Sequence, residues 1–139
     1  MYSVYPIGTV KKDDKSARLV LKEKYAPGLL GLDGFSHVIV LYWFDKNDTP
    51  ERRAILQVHP RNDKANPLTG VFATRAPVRP NLIALSVCKI VSVKDNIVEV
   101  DTIDAFPDTP ILDLKPYIPT DSIPSATVPA WAKRGKEPE

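Results

Sequence analysis

LIALSVCKIVSVKDNIVEVDTI, residues Leu82 to Ile103, is the stretch whose reading decides the fold. Leu82 to Val93 and Ile97 to Ile103 are two runs rich in β-branched residues, and Lys94, Asp95 and Asn96 between them suit a tight hairpin connection. Outward from that hairpin the same signature recurs at Tyr2 to Val10, Ala17 to Leu21, His37 to Phe44, Ile55 to Val58 and Val71 to Thr74. Each is short, apolar or β-branched, and bounded by Gly, Pro, Asn or Asp. Helical periodicity is nearly absent, and Lys24 to Leu32 supports only a short helical turn broken by Pro27 and Gly28. Many short strands punctuated by 14 prolines predict an all-β fold: a small antiparallel β-barrel with short helical turns and an extended C-terminal arm. No glycine-rich strand-to-helix turn of the dinucleotide-binding type is present, so a nucleotide-like cofactor must be held another way.

A chain of 139 residues is long enough for one domain with its own core. The expected division is a barrel domain over residues 1–122 and a proline-rich arm over 123–139. Beyond Lys115 the residues Pro116, Pro119, Pro124 and Pro129 recur, while Ile118, Ile123, Val128 and Trp131 are suited to docking the arm on its own body or on a partner. The last few residues are expected to be loose. With 43% hydrophobic and 26% charged residues interleaved, the composition excludes a disordered or fibrous chain. The longest apolar run, Val38 to Phe44, is strand-sized and far short of the roughly 20 residues of a membrane-spanning helix. Met1 to Val10 lacks a basic segment followed by an apolar one, so no secretory signal is read and a cytoplasmic location is expected. The single cysteine, Cys88, excludes an intrachain disulfide and sits in a setting typical of a small buried residue. His37 and His59 lack the paired spacing of a zinc site, so no metal is predicted. His37 reads as a strand-end histidine held by hydrogen bonds, and His59 lies in a basic loop more open to a binding role.

A formal net charge of +2 does not by itself point to nucleic acid, but the charge is unevenly placed. Arg52, Arg53, Arg61, Lys64, Arg75 and Arg79 fall between positions 50 and 80, opposed only by Glu51 and Asp63. Asp101, Asp104, Asp108 and Asp113 follow, so either a basic surface stands beside an acidic notch or the charges line solvated loops. Within the basic stretch, GVFATRAPVRPN (Gly70 to Asn81) sets Arg75 and Arg79 four residues apart on a segment stiffened by Pro77 and Pro80. Two guanidinium forks beside Asn81 suit carboxylate or phosphate recognition; a structural turn with solvated arginines is the alternative. In DTIDAFPDTPILDLKPY (Asp101 to Tyr117), Asp104, Asp108, Asp113, Lys115 and Tyr117 converge if Pro107 and Pro110 fold the loop back. Such a group can orient an amine or take its proton, whereas turn capping by Asp104, Asp108 and Thr109 is the plainer role.

Taken in order, GLDGFSHVIVLYWF, GVFATRAPVRPNLIALS and DTPILDLKPYIPTDS resemble the TsaA-like, or TrmO, family across about residues 4 to 122. That resemblance implies a homodimeric β-barrel methyltransferase that uses S-adenosylmethionine and acts on the exocyclic nitrogen of threonylcarbamoyladenosine, next to the anticodon in tRNA. It further implies cofactor contacts at Phe44, Asp45, Arg75, Leu85, Ile103, Asp104, Ala105 and Phe106. Arg79 and Asn81 are implied on the substrate side, with Asp113, Lys115 and Tyr117 in catalysis. The chain departs from the family pattern in three places. Leu82 and Ala84 replace a proline and a glycine, Pro107 and Asp108 stand where Asp and Gly are usual, and Ile7 to Arg18 is shorter than the bacterial segment that helps hold the cofactor. These departures motivate one alternative, a non-catalytic S-adenosylmethionine- or nucleotide-binding regulatory module on the same barrel, and the modest net charge of +2 motivates another, methylation of a small molecule.

Overall fold

Six strands close into an antiparallel barrel in the order β1-β2-β7-β6-β3-β8, in a computed structural model that describes residues 1–133. The strands are β1 (Gly8–Lys12), β2 (Ala17–Leu21), β3 (His37–Trp43), β6 (Ile83–Lys94), β7 (Ile97–Val100) and β8 (Pro110–Pro116). Two further short strands, β4 (Gln57–Val58) and β5 (Thr69–Gly70), form a separate two-stranded sheet. Period-two alternation turns Val10, Leu19, Val38, Val40, Tyr42, Ala84, Cys88, Val98, Val100 and Ile111 inward, where all are buried. Each fully buried aliphatic side chain contributes about 1.5–3 kcal/mol over its exposed state, so this interior holds the barrel together.

The hairpin that anchors the sequence argument forms as expected. Asp95 adopts the left-handed conformation (φ 56°) that a two-residue turn requires, and the following Asn96 donates Nδ2 to Leu21 O at 2.6 Å. Thus the turn between β6 and β7 also secures the end of β2. The expected helical turn is present as 3-10 segments at Glu23–Leu29 and Leu32–Gly34.

Three expectations change. The first strand begins at Gly8 and runs to Lys12, and the segment before it is tied in at Ile7, whose N–H donates to Ile111 O and whose carbonyl accepts from Lys22 N, both at 2.8 Å. Val71 to Thr74 is not a strand: β5 ends at Gly70 and Val71–Ala73 forms a 3-10 turn. There the Thr74 hydroxyl donates to Val71 O at 2.9 Å, a local bond that competes with ladder pairing. Finally, the segment read as a folded-back loop contains β8, the strand that closes the barrel between β1 and β3. Leu41 pairs with Asp113 but Tyr42 with Ile111, so Leu112 is the extra residue of a bulge that breaks the alternation. Pro110 and Pro116 stand at the strand's two ends, where a missing N–H is tolerated.

The chain divides into two compact units. The first, Met1–Asp45 with Ile83–Asp121, is the barrel. The second is Lys46–Leu82 with the chain from Ser122 onward. In the second unit a single-turn helix α1 (Pro50–Arg53) is capped by Thr49, whose hydroxyl accepts from Arg52 N at 3.2 Å. Val71, Leu82 and Pro60 are its buried residues, and Trp131 of the C-terminal arm is half-buried, while Ile123 and Val128 are exposed. The expectation of loose final residues concerns 134–139, which lie outside the described residues. Among the described residues no helix is long and apolar enough to cross a membrane.

Candidate active site

The outward face of the barrel is where chemistry and exposure meet. The large apolar residues of β6 that do not point inward are Ile83, Leu85, Val87 and Val91, each between 43% and 57% exposed, with the exposed Lys89 between the last two. Their partners on β3 are Trp43 for Ile83, Leu41 for Leu85 and Ile39 for Val87. On the other side of β3, Leu41 pairs with Asp113 and Ile39 with Lys115. An apolar row therefore runs beside an acid and a lysine on three neighbouring strands. Asp113 and Lys115, two apart on β8 and so on one face, approach to 3.6 Å between Oδ2 and Nζ. At that degree of exposure the pair contributes little to stability.

Tyr117 follows β8 directly. Its N–H donates to His37 O at 3.0 Å, and its ring meets the His37 imidazole edge-on at 6.2 Å. His37 Nδ1 lies 2.7 Å from the Ser36 hydroxyl, the expected hydrogen-bonded strand-end histidine, and across the ladder it faces Lys89. Asp113, Lys115 and Tyr117 thus share one edge of the barrel with His37 as an unassigned neighbour. Asp108 does not join them. It pairs with Lys11 at 2.6 Å, and its backbone is left-handed (φ 69°) at the position where the family pattern has glycine. Aspartate tolerates that conformation better than most side chains, so the loop keeps its path without the glycine.

The segment from Ile103 to Phe106 presents alternate residues to different surroundings. Ile103 and Ala105 are 3% and 2% exposed and belong to the barrel core, so their side chains are not offered to a ligand. Asp104 is half-buried and Phe106 is 50% exposed. At the end of β3, Phe44 is half-buried with its ring edge-on to Tyr42 at 6.0 Å, and Asp45 is exposed.

In the second unit the arginine loop is as stiff as its prolines imply, and Arg79 is part of the reason. Its Nη1 donates to Thr74 O (3.1 Å) and Ala76 O (3.2 Å), which folds the loop around the guanidinium. Arg75 is exposed. Asn81 accepts from Arg53 Nη2 at 3.5 Å, and Arg53 Nε donates to Pro80 O at 2.8 Å while its Nη1 pairs with Asp48 at 3.2 Å. Sequence reasoning counted Arg53 only as charge. Its bracing of Pro80 and Asn81 spans 27 positions, a long-range contact with no local signature. Among the described residues no three His, Cys, Asp or Glu side chains cluster closely enough to hold a metal ion. The Asp13 carboxyl, in the β1–β2 turn, is held below the usual carboxylate range by hydrogen bonds from the backbone N–H groups of Lys15 and Ser16.

The strands define a small closed-barrel domain with an exposed apolar and charged sheet face, distinct from the doubly wound nucleotide-binding class. The chain belongs to the family described as the tRNA-methyltransferase O N-terminal domain, which matches residues 3–122. It is similar to a probable S-adenosyl-L-methionine-binding protein of Methanocaldococcus jannaschii, with 47% identity over 115 residues, covering 83% of this chain and 91% of the relative. It is also 44% identical over 90 residues to the tRNA (adenine(37)-N6)-methyltransferase of Homo sapiens, which covers 65% of this chain but 20% of the human protein. Among solved structures, TrmO from Pseudomonas aeruginosa superposes with a TM-score of 0.73 at 28% identity. That match covers 94% of this chain and 62% of the solved one, so the chain spans less than two thirds of the TrmO structure it matches.

Proposed function

We propose that this protein is an S-adenosylmethionine-dependent methyltransferase acting on tRNA, with threonylcarbamoyladenosine next to the anticodon as substrate and residues 1–122 as its methyltransferase domain. The observation that carries the proposal is the family match over nearly the whole barrel, joined to an outer face where Asp113, Lys115 and Tyr117 adjoin exposed apolar surface. In the barrel the residues present fit the cofactor, with Phe106 and Leu85 offering exposed apolar surface for an adenine. In the second unit Arg75 is exposed, and its guanidinium suits a carboxylate. Ile103 and Ala105 contribute backbone only, because their side chains are in the core. Asp104, Phe44 and Asp45 complete the set assigned to the cofactor, which when bound supplies an activated methyl group with a good leaving group.

On the substrate side, Asp113 accepts the proton that the attacking nitrogen gives up, and Lys115 beside it orients the carboxylate. Tyr117, with its ring edge-on to His37, is the third residue of the set. In the second unit, Arg79 meets a carboxylate or phosphate with the guanidinium edge that Nη1 leaves over, and Asn81 is steadied by Arg53 for a polar contact. The two sets of roles are separately testable. Calorimetric titration with S-adenosylmethionine should show binding that Phe106→Ala weakens, and no binding at millimolar cofactor would reject the class. Nucleoside analysis of tRNA from a deletion strain should show one missing methyl group, and an unchanged profile would remove tRNA as substrate.

The apolar residues of β6 support a homodimer, with a second copy of the chain as its occupant: Ile83, Leu85 and Val87 alternate along one exposed face that ends at Lys89. A tRNA substrate also implies work in the cytoplasm. A second reading, a non-catalytic S-adenosylmethionine-binding module, draws support from the archaeal relatives, whose names claim binding and no transfer. Measurable methyl transfer would end it.

A further inference from the structure

Lys12 is the last residue of β1 and shares that strand's inward face with Gly8 and Val10. A lysine pointing into the end of a barrel must find oxygen for its ammonium, because a buried unpaired charge is costly. It finds the backbone of the β7–β8 loop, where Nζ donates to Ile103 O at 2.7 Å and to Ala105 O at 3.1 Å. No carboxylate among the described residues pairs with it, whereas its neighbour Lys11, on the opposite face, pairs with Asp108. The same loop is closed further along by Thr109, whose N–H and hydroxyl both donate to Phe106 O, at 3.3 and 2.7 Å. Asp108 N in turn donates to Val10 O at 2.8 Å.

We infer that Lys12 is a positioning residue for the cofactor loop: by holding the Ile103 and Ala105 carbonyls it fixes the backbone from which Asp104 and Phe106 project. The loop is gripped twice from beneath, by two side chains in the core and by two carbonyls on one ammonium. Asp104 and Phe106, the residues between and after those anchors, are left in defined directions. The inference rests on the proposal that this loop meets S-adenosylmethionine. It also gives the β1–β2 hairpin a role, since its first strand supplies the lysine that holds the loop.

Three variants of the full chain, Lys12→Met, Lys12→Gln and Lys12→Arg, test it by calorimetric titration with S-adenosylmethionine, with thermal unfolding recorded without cofactor. Losing two charge-assisted hydrogen bonds should weaken affinity about tenfold in Lys12→Met. Lys12→Gln, a milder change that remains usable if the methionine variant does not fold, should weaken it about threefold, and Lys12→Arg should recover most of the loss. Amide hydrogen exchange at Asp104, Ala105 and Phe106 should accelerate in the weakened variants. Affinity unchanged in both Lys12→Met and Lys12→Gln, with only the melting temperature lowered, would overturn the positioning role. Phe106→Ala separates the two levels. Unchanged affinity in that variant means the loop is not at the cofactor, whereas a loss there with none in the Lys12 variants leaves the loop in place and removes Lys12.

Discussion

Val87→Asp is the sharpest probe of the outer barrel face. Val87 lies near the middle of β6, pairs with Ile39, and is 48% exposed, with the apolar Leu85 two positions away and also half exposed. In a lone copy the change exchanges one solvated side chain for another on a regular strand, so it costs at most about 1 kcal/mol, the spread of strand preferences. If two copies pair through this face, the valine's exposed half is lost as a contact, about 1 kcal/mol per copy. The aspartate lies two positions from the exposed Lys89 on the same face, as Asp113 lies from Lys115, but carrying it into the interface still desolvates a carboxylate, at a cost of about 1 kcal/mol or more per copy. Together these terms raise the dimer dissociation constant by at least about 100-fold. Sedimentation equilibrium over a wide concentration range measures it, with circular dichroism confirming that the barrel is intact. A wild-type protein that is a clean monomer, or a Val87→Asp protein that dimerises as tightly as wild type, would refute the assignment of this face.

Three further outcomes are expected. A Cβ added at Gly8 would lie 2.4 Å from Val20 O and 2.8 Å from Leu21 Cα, both backbone atoms, so Gly8→Ala should destabilise by about 1–3 kcal/mol, seen as a clear drop in melting temperature; an unchanged melt would show that β1 and β2 are not packed this closely. At Asp108, glycine should be tolerated because it relieves the left-handed backbone at the loss of an exposed ion pair, whereas alanine should fall about 1 kcal/mol below glycine in chemical denaturation; equal stability would contradict the strained conformation. The lowered pKa of Asp13 means that its turn contributes stability above the unfolded-state value of 3.8 and loses it as pH falls through the lower folded value. Asp13→Asn should therefore flatten the acid limb of the stability profile below about pH 4, and an acid limb identical to wild type would show that this carboxylate does not drive it.

How much of this was legible in the sequence depends on whether each contact is local. The β6–β7 hairpin was readable because its turn residues and its alternation are contiguous, and β2 and β3 were readable for the same reason. Strand β8 was hidden by its bulge at Leu112, which interrupts the period of two, and by prolines that mark its ends but resemble loop punctuation. With β8 unseen, Asp113 and Lys115 were grouped with Asp108 in one turn, whereas on a strand they share an outward face and Asp108 belongs to Lys11. Ile103 and Ala105 were grouped with Asp104 and Phe106 because a motif carries no sidedness; burial separates them. Lys12 and Arg53 act on carbonyls 91 and 27 positions away, and no local pattern signals that.

Methyl transfer itself is the decisive measurement for a tRNA methyltransferase. Purified protein is incubated with methyl-labelled S-adenosylmethionine and tRNA bearing threonylcarbamoyladenosine, and the digested nucleosides are separated by mass. Label is expected on the exocyclic nitrogen of that nucleoside, reduced sharply by Asp113→Asn. Cofactor binding without label in any nucleoside would contradict it and leave the barrel as a binding module.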